Sequence, residues 1–202
     1  RVYAVERTSV AVLAADLAAA NGFGEVIEVI HGDLMDIELP GKVDVIGVRV
    51  DAVDYEAAVD RIMDAAIEQR PYRVSALAVH GVMTGVDDPE HLARRNAFDL
   101  ITPDGQPVRW AMNWLHHTGL PDRVYGPDLT LAVCRAAVEK NLSVYFHGST
   151  PDTLEHLVRR LPTLVPGIHI AGTSPSSFGT STPEQLEQLA ATIRSTGASV
   201  CF

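Results

Sequence analysis

The sequence predicts an α/β chain, a Rossmann-like parallel sheet with helices on both faces. Short runs rich in Val and Ile alternate with longer segments whose apolar residues recur at helical spacing, almost from end to end. The 202 residues are 47% hydrophobic and 21% charged, which is a globular balance and not a disordered or collagen-like one. Strands that alternate with helices in this way are joined by crossovers, and crossovers make the strands parallel.

The elements follow in order. Val2 to Val5 is a first strand. Val10, Leu13, Ala14, Leu17 and Ala18 then mark a helix, capped by Thr8 or Ser9 and stopped at Asn21-Gly22. Val26 to Ile30 is a second strand, and Val43 to Val50 a third after the Pro40-Gly41 turn. Asp54 caps a helix whose apolar face is Val59, Ile62, Met63, Ala66 and Ile67. Pro71 ends it, and Val74 to Val79 reads as a buried strand that finishes at His80. Asp88-Pro89 opens a short helix, with Pro89 suited to the first helical position. Leu100 to Thr102 is a strand, followed by a Pro103-Asp104-Gly105 turn and a helix from about Gln106 to His117 that stops at Gly119. Trp110 and Trp114, four apart on that helix, are expected to pack against a neighbouring element. Asp128 caps the next helix, whose face is Leu129, Ala132, Val133, Ala136 and Ala137. Ser143 to Phe146 is a strand and His147-Gly148-Ser149 a loop. Thr150-Pro151 opens a helix carrying Leu154, Leu157, Val158 and Leu161. Ile168 to Ala171 is a strand, Thr182 to Gln185 a capping box before Leu186, Leu189, Ala190 and Ile193, and Ala198 to Phe202 a last strand.

Composition removes several functional classes. The net charge of −10, from 16 basic and 26 acidic residues, argues against a broad nucleic-acid surface, and no nucleic-acid partner is expected. Cys134 and Cys201 are too few for a disulfide or zinc framework, so a reducing compartment is expected. Cys134 also lies mid-helix among alanines, away from any place suited to a nucleophile. No apolar run reaches the ~18 residues of a membrane span, and no signal-peptide pattern is present. The 8 histidines show no ligand spacing, and Asp87-Asp88 is better used as a helix cap than as a cation motif. No metal and no cofactor is expected. The chain starts at Arg1 and ends at Phe202 inside strand-like runs, and so reads as a segment cut at both ends.

In a parallel α/β sheet, ligands bind beyond the carboxyl ends of the strands. The residues there are the candidates. Asp104, in its Pro-Asp-Gly turn, can serve as a general base or as an N-cap that only satisfies backbone N–H groups. His80 can act in proton transfer near neutral pH or serve as a structural histidine. Arg123 is suited to bidentate phosphate binding, or to a surface salt bridge. Gly126 lets the backbone approach a ligand, and Asp128 stands at a helix start. His147-Gly148-Ser149-Thr150, between a strand and a helix, has the form of a nucleotide cradle.

Two resemblances meet near residue 43. The first covers residues 1–46, through Val2-Tyr3-Ala4-Val5-Glu6, Ala20-Asn21-Gly22, Val29-Ile30-His31-Gly32-Asp33, Glu38-Leu39-Pro40 and Lys42-Val43-Asp44-Val45-Ile46. It resembles class I S-adenosylmethionine methyltransferases of the arginine type. In that family an acid at the end of the second strand bonds the ribose hydroxyls, which implies that role for Glu6. The glycine-rich loop that should precede Val2, and the family's catalytic acidic pair, have no counterpart.

The second covers residues 42–202, through Val45-Ile46-Gly47-Val48-Arg49-Val50-Asp51, Asp99-Leu100-Ile101-Thr102-Pro103-Asp104-Gly105, Arg123-Val124-Tyr125-Gly126-Pro127-Asp128-Leu129, Val144-Tyr145-Phe146-His147-Gly148-Ser149 and Pro166-Gly167-Ile168-His169-Ile170-Ala171-Gly172. This order and spacing resemble the WecG/TagA/CpsF glycosyltransferases. The resemblance implies an enzyme that moves an N-acetylmannosamine-type sugar from a UDP-sugar to a polyprenyl-diphosphate-linked acceptor, in cell-surface polysaccharide synthesis. It implies Asp104 as the base, and His80, Gly105, Gln106, Arg123, Gly126, Asp128, Gly148 and Ser149 as substrate-binding positions. The chain departs from the family at Ala78 and His80, where a Thr-x-Asn pair is usual, at His147, where a small residue is usual, and at Ser176-Ser177-Phe178, where Gly-Tyr-Phe is usual. The resemblance implies that the family continues past Phe202 with an arginine-bearing tail that completes the site, so a protein that ended at Phe202 is expected to show weak or absent transfer.

The expected organisation is a methyltransferase-like βαβ fragment over 1–42 and a glycosyltransferase domain over 43–202, incomplete at its C-terminus. The expected location is the cytoplasm, peripheral at the inner face of the plasma membrane, where the lipid-linked acceptor lies. Two alternatives stand beside this reading. One is a methyltransferase relative that binds S-adenosylmethionine through Glu6. The other is a non-catalytic Rossmann-like module, forming a homo-oligomer through the edge of the last strand.

Overall fold

A computed structural model describes residues 2–6, 27–31, 41–176, 179 and 181–202. The helix expected between Thr8 and Gly22, and the positions of Pro40, Ser177 and Phe178, lie outside the described residues. The chain is α/β, with parallel strand pairs flanked by helices. It divides into two compact units, Arg1–Ala58 with Arg73–Gly126, and Val59–Tyr72 with Pro127–Phe202.

In the first unit, β1 (Val2–Glu6) runs parallel to β2 (Ile27–His31), with Glu6 opposite His31. The single strand expected over Val43 to Val50 is instead a hairpin of antiparallel strands, β3 (Lys42–Val45) and β4 (Val48–Asp51). Ile46 and Gly47 turn it with φ of +54° and +86°. Two successive positive φ values form the tight turn that matches strand twist. Gly47 adopts its value freely, whereas the β-branched Ile46 does so against its own sterics. The Asp44 Oδ1 accepts the Gly47 N–H at 2.9 Å and helps to hold the turn.

Asp54 caps helix α1 (Tyr55–Ile67), its Oδ1 accepting the Ala57 N–H at 2.8 Å. Strand β5 (Val74–Leu77) pairs in parallel with β6 (Leu100–Pro103), Val74 opposite Leu100 and Leu77 opposite Pro103. The strand expected to reach Val79 thus stops at Leu77. It is only partly buried, since Ala76 faces solvent. Ala78 turns the chain into helix α2 (Val79–Asp87), so His80 stands in the first turn of a helix and not at a strand end. Helix α3 (Pro89–Asn96) follows, with Asp88 Oδ1 accepting the N–H groups of Glu90 and His91. Helix α4 (Gln106–His116) ends where His117 takes the left-handed conformation. The core of this unit joins Val45, Val48, Val50, Leu77, Val82, Ile101, Val108, Met112 and Leu120. Trp110 and Trp114 do not join it. They are 58% and 79% exposed, because the buried stripe of α4 is Val108 and Met112, on another side of the helix.

Helix α5 (Gly126–Glu139) carries the chain into the second unit. It starts two residues before the Asp128 expected to cap it, with Pro127 in its first turn, where the missing N–H costs nothing. The second unit holds β7 (Ser143–His147), α6 (Pro151–Leu164), β8 (His169–Ser174), α7 (Pro183–Ser195) and β9 (Val200–Cys201). Strand β7 lies between β8 and β9, parallel to both. Cys134, Ala137, Val144, Phe146, Leu154, Leu161 and Val165 form its core, and the Phe202 ring stacks on Phe146 with centroids 5.2 Å apart. The Thr182 capping box is complete, Thr182 and Gln185 each bonding the other's N–H. Among the described residues, no helix is long and apolar enough to cross a membrane.

Candidate active site

Strand β6 is buried throughout and apolar except at Thr102, and it delivers Asp104 at its carboxyl end. The Asp104 N–H donates to the carbonyls of Leu77 and Thr102, both at 3.0 Å, so its backbone is anchored to both strands of the pair. Gly105 then turns with φ of +100° and becomes the N-cap of α4 without any side-chain cap. The Asp104 carboxylate therefore does not cap the helix that it precedes. Its Oδ2 accepts the N–H of Gly126 at 3.3 Å, and its Oδ1 has no protein partner among the described residues. Asp104 is half-buried.

The segment that meets it is bonded at three successive N–H groups. Val124 donates to the Pro103 carbonyl at 2.9 Å, Tyr125 to the Tyr55 hydroxyl oxygen at 2.9 Å, and Gly126 to Asp104. A Cβ on Gly126 would lie 3.2 Å from the Ala76 Cβ and 3.4 Å from the Asp104 Oδ2, so glycine lets this backbone come close to the carboxylate. Arg123 holds its guanidinium over the Tyr125 ring, 4.4 Å from the centroid.

Gln106 faces other duties. Its amide nitrogen donates to Asp122 Oδ1 at 2.9 Å, and its oxygen accepts the Arg109 Nε–H at 2.8 Å. The Arg123 N–H and the Gln106 amide hold the Asp122 carboxyl below its ordinary pKa. Arg109 also donates to the carbonyls of Leu120 and Pro121. The Gln106 side chain is thereby bonded into the Leu120–Arg123 segment. His80 is exposed, and its carbonyl accepts the Thr84 hydroxyl.

The remaining candidates lie in the second unit. Asp128 sits, exposed, in the first turn of α5. Gly148 has φ of +118° and donates its N–H to the Ser174 carbonyl at 2.9 Å, and the Ser149 carbonyl accepts the Ser176 N–H at 3.1 Å. This loop thus bonds to the end of β8 and the residues after it. Among the described residues, no group of three or more His, Cys, Asp or Glu is placed to hold a metal ion.

Two contributors escaped the sequence reading. Tyr55 bears no motif, and only its place at the head of an Asp-capped helix marks it. Asp51, within a motif, is buried: its Oδ2 accepts the Ile101 N–H at 2.7 Å and lies 3.5 Å from the Lys42 Nζ, which also donates to the Phe98 carbonyl. It ties the hairpin to the strand that carries Asp104.

An α/β fold with a half-buried carboxylate at the carboxyl end of a parallel strand belongs to the class that binds ligands beyond its strand ends. Comparison with known proteins makes the class specific. The glycosyl transferase WecG/TagA/CpsF family matches residues 43–202, and the chain belongs to that family. Its members are glycosyltransferases of cell-surface polysaccharide synthesis. A second, short similarity is to protein arginine N-methyltransferase PRMT10 of Oryza sativa subsp. japonica, 52% identical over 46 residues, which are 23% of this chain and 12% of that protein. The Arabidopsis thaliana PRMT10 matches with the same identity and coverage. The chain thus spans only a small part of these methyltransferases' length.

Proposed function

We propose that the chain transfers an N-acetylhexosamine-type sugar, of the N-acetylmannosamine kind, from a UDP-sugar to a polyprenyl-diphosphate-linked acceptor, with Asp104 as general base. The acceptor hydroxyl oxygen attacks the anomeric carbon, and the bond from that carbon to the diphosphate oxygen breaks. The electron pair leaves with UDP, and the hydroxyl proton passes to Asp104. One observation carries this reading: a half-buried carboxylate at the carboxyl end of β6, with Oδ2 held by the Gly126 N–H. Arg123, stacked on Tyr125, supplies a charge suited to the diphosphate of the leaving group. A lipid-linked acceptor places the reaction at the cytoplasmic face of a membrane, reached peripherally. In this reading residues 43–202 are the transferase domain, preceded over 1–42 by a methyltransferase-like segment.

The test is Asp104→Asn. Turnover of UDP-N-acetylmannosamine with a short-chain polyprenyl-diphosphate-linked acceptor should fall by at least about a hundredfold, while calorimetric titration gives the same affinity for UDP. Full turnover by the variant refutes the base. The 46-residue match to PRMT10 supports a second reading, S-adenosylmethionine binding with Glu6 at the end of β1. Titration with S-adenosylmethionine in parallel separates the two, since binding of that ligand without UDP would favour the second.

A further inference from the structure

The Val124–Gly126 backbone is a short ladder with three different acceptors: the Pro103 carbonyl, the Tyr55 hydroxyl and the Asp104 carboxylate. The first is fixed by strand β6 itself. The third is the group to be positioned. The middle rung comes from 70 residues away in sequence, from a side chain at the head of α1. Tyr55 is half-buried, and its ring carries the hydroxyl to a backbone N–H in an irregular segment, where no strand partner satisfies it. An amide in such a segment has one direction in which it is bonded. The bond at Tyr125 fixes the Val124–Tyr125 peptide plane, and this restrains the next plane, which carries the Gly126 N–H toward the Asp104 Oδ2. The 3.3 Å length of that last bond makes it the weak rung. Asp104 thus depends on its neighbour for its alignment.

We infer that Tyr55 is a positioning residue for the reaction: its hydroxyl accepts the Tyr125 N–H and so helps to hold the Gly126 N–H on the Asp104 Oδ2, fixing the direction in which the carboxylate faces the acceptor. This rests on Asp104 being the base. Tyr55 touches neither sugar nor diphosphate in this account. Its contribution is orientation, and misplacement by a fraction of an ångström to an ångström at a reacting group is enough to cost one to two orders of magnitude in rate.

The variant is Tyr55→Phe, which keeps the ring and removes the hydroxyl that accepts the Tyr125 N–H. Its turnover number is expected to fall about ten- to a hundredfold, with KM for UDP-N-acetylmannosamine and the affinity for UDP within about twofold of the unaltered chain. Added to Asp104→Asn, Tyr55→Phe should cost nothing further, because a positioning residue has no effect once the group that it positions is gone. Amide hydrogen exchange supplies a readout that does not need turnover. The Tyr125 and Gly126 amides should exchange at least about tenfold faster in Tyr55→Phe, while those of Ala58 to Ile67 in α1 keep their protection.

An Asp104→Asn chain without turnover, beside a Tyr55→Phe chain at full turnover, overturns the positioning role and leaves the base intact. An Asp104→Asn chain that keeps its turnover overturns the base and the positioning role with it. Unchanged exchange at Tyr125 and Gly126 overturns the positioning role whatever the rates. Loss of protection throughout α1 also overturns it, by making Tyr55 a stability residue only.

Discussion

Gly105 joins the strand that carries Asp104 to the helix that follows, at φ of +100° and ψ of +133°. A Cβ there meets only the Pro107 Cδ, at 3.9 Å, so the constraint is conformational and not steric crowding. That region is nearly closed to residues with a side chain, and Gly105→Ala should cost about 1–3 kcal/mol in urea unfolding. It should also lower turnover by turning the Asp104 backbone. An unchanged unfolding midpoint would mean that the turn can re-form with negative φ. Ile46 is the opposite case, a β-branched residue in the left-handed region that glycine or asparagine prefers. Its side chain is exposed. Ile46→Asn creates the Asn-Gly pair of a tight hairpin and should raise stability by about 1 kcal/mol. A lowered midpoint would show that the exposed Ile46 side chain makes a contact worth more than its strain.

At the scale of elements, a buried carboxylate ties the hairpin β3–β4 to β6, beside the apolar packing of Val45, Val48 and Val50 with Ile101. Asp51→Ala leaves the Ile101 N–H and the Lys42 ammonium without that acceptor, and should destabilise the fold by about 3–5 kcal/mol. Urea unfolding of the variant checks this, and a cost under about 1 kcal/mol would show that water replaces the carboxylate. The hairpin also shows where the sequence is silent. Val43 to Val50 is apolar enough to read as one strand, because the turn lacks the usual polar first residue and carries Ile46 in its place. Helix α2 was hidden for a different reason. Val79, Val82, Met83 and Val86 do recur at helical spacing, but Gly81 and Gly85 dilute the pattern, and the run from Val74 to Val79 reads as a strand. Gly85 is small because a Cβ there would sit 3.3 Å from both Leu92 and Val48, so its presence reports close packing that no local rule reveals. The tryptophan spacing told that Trp110 and Trp114 share a stripe, but not which stripe faces the core. Legible throughout were the elements with punctuation: Asp88-Pro89, Thr150-Pro151 and the Thr182 capping box each start a helix where expected. In the candidate site, Asp104 and Gly126 stood out through local turn chemistry and family resemblance. Tyr55 did not, because its bond to Tyr125 exists only once the chain has folded.

At the scale of the whole molecule, the two units have chemically different cores. The hydrophobic cluster of the first consists of Val, Leu, Ile, Met and Ala side chains, which do not titrate. The second contains the Cys134 thiol, fully buried between α5 and the rest of that core. Burial pushes this thiol from an ordinary 9.0 up to about 11, because the thiolate loses its hydration there. Below pH 9 the folded and unfolded chains both hold the proton, and the group adds no pH dependence. Between pH 9 and about 11 the unfolded chain releases the proton while the folded chain keeps it. Unfolding is then progressively favoured, by on the order of 2 kcal/mol at the upper end. Cys134→Ala removes the titrating group at the cost of a small cavity, which shifts stability equally at every pH. Urea unfolding of both chains at pH 8 and pH 11 should therefore show a loss in the unaltered chain that exceeds the loss in Cys134→Ala by about that amount. The excess cancels the tyrosines and lysines common to both chains. Equal losses would mean that Cys134 meets water in the folded state, and that the packing of α5 on its sheet is looser than its burial indicates.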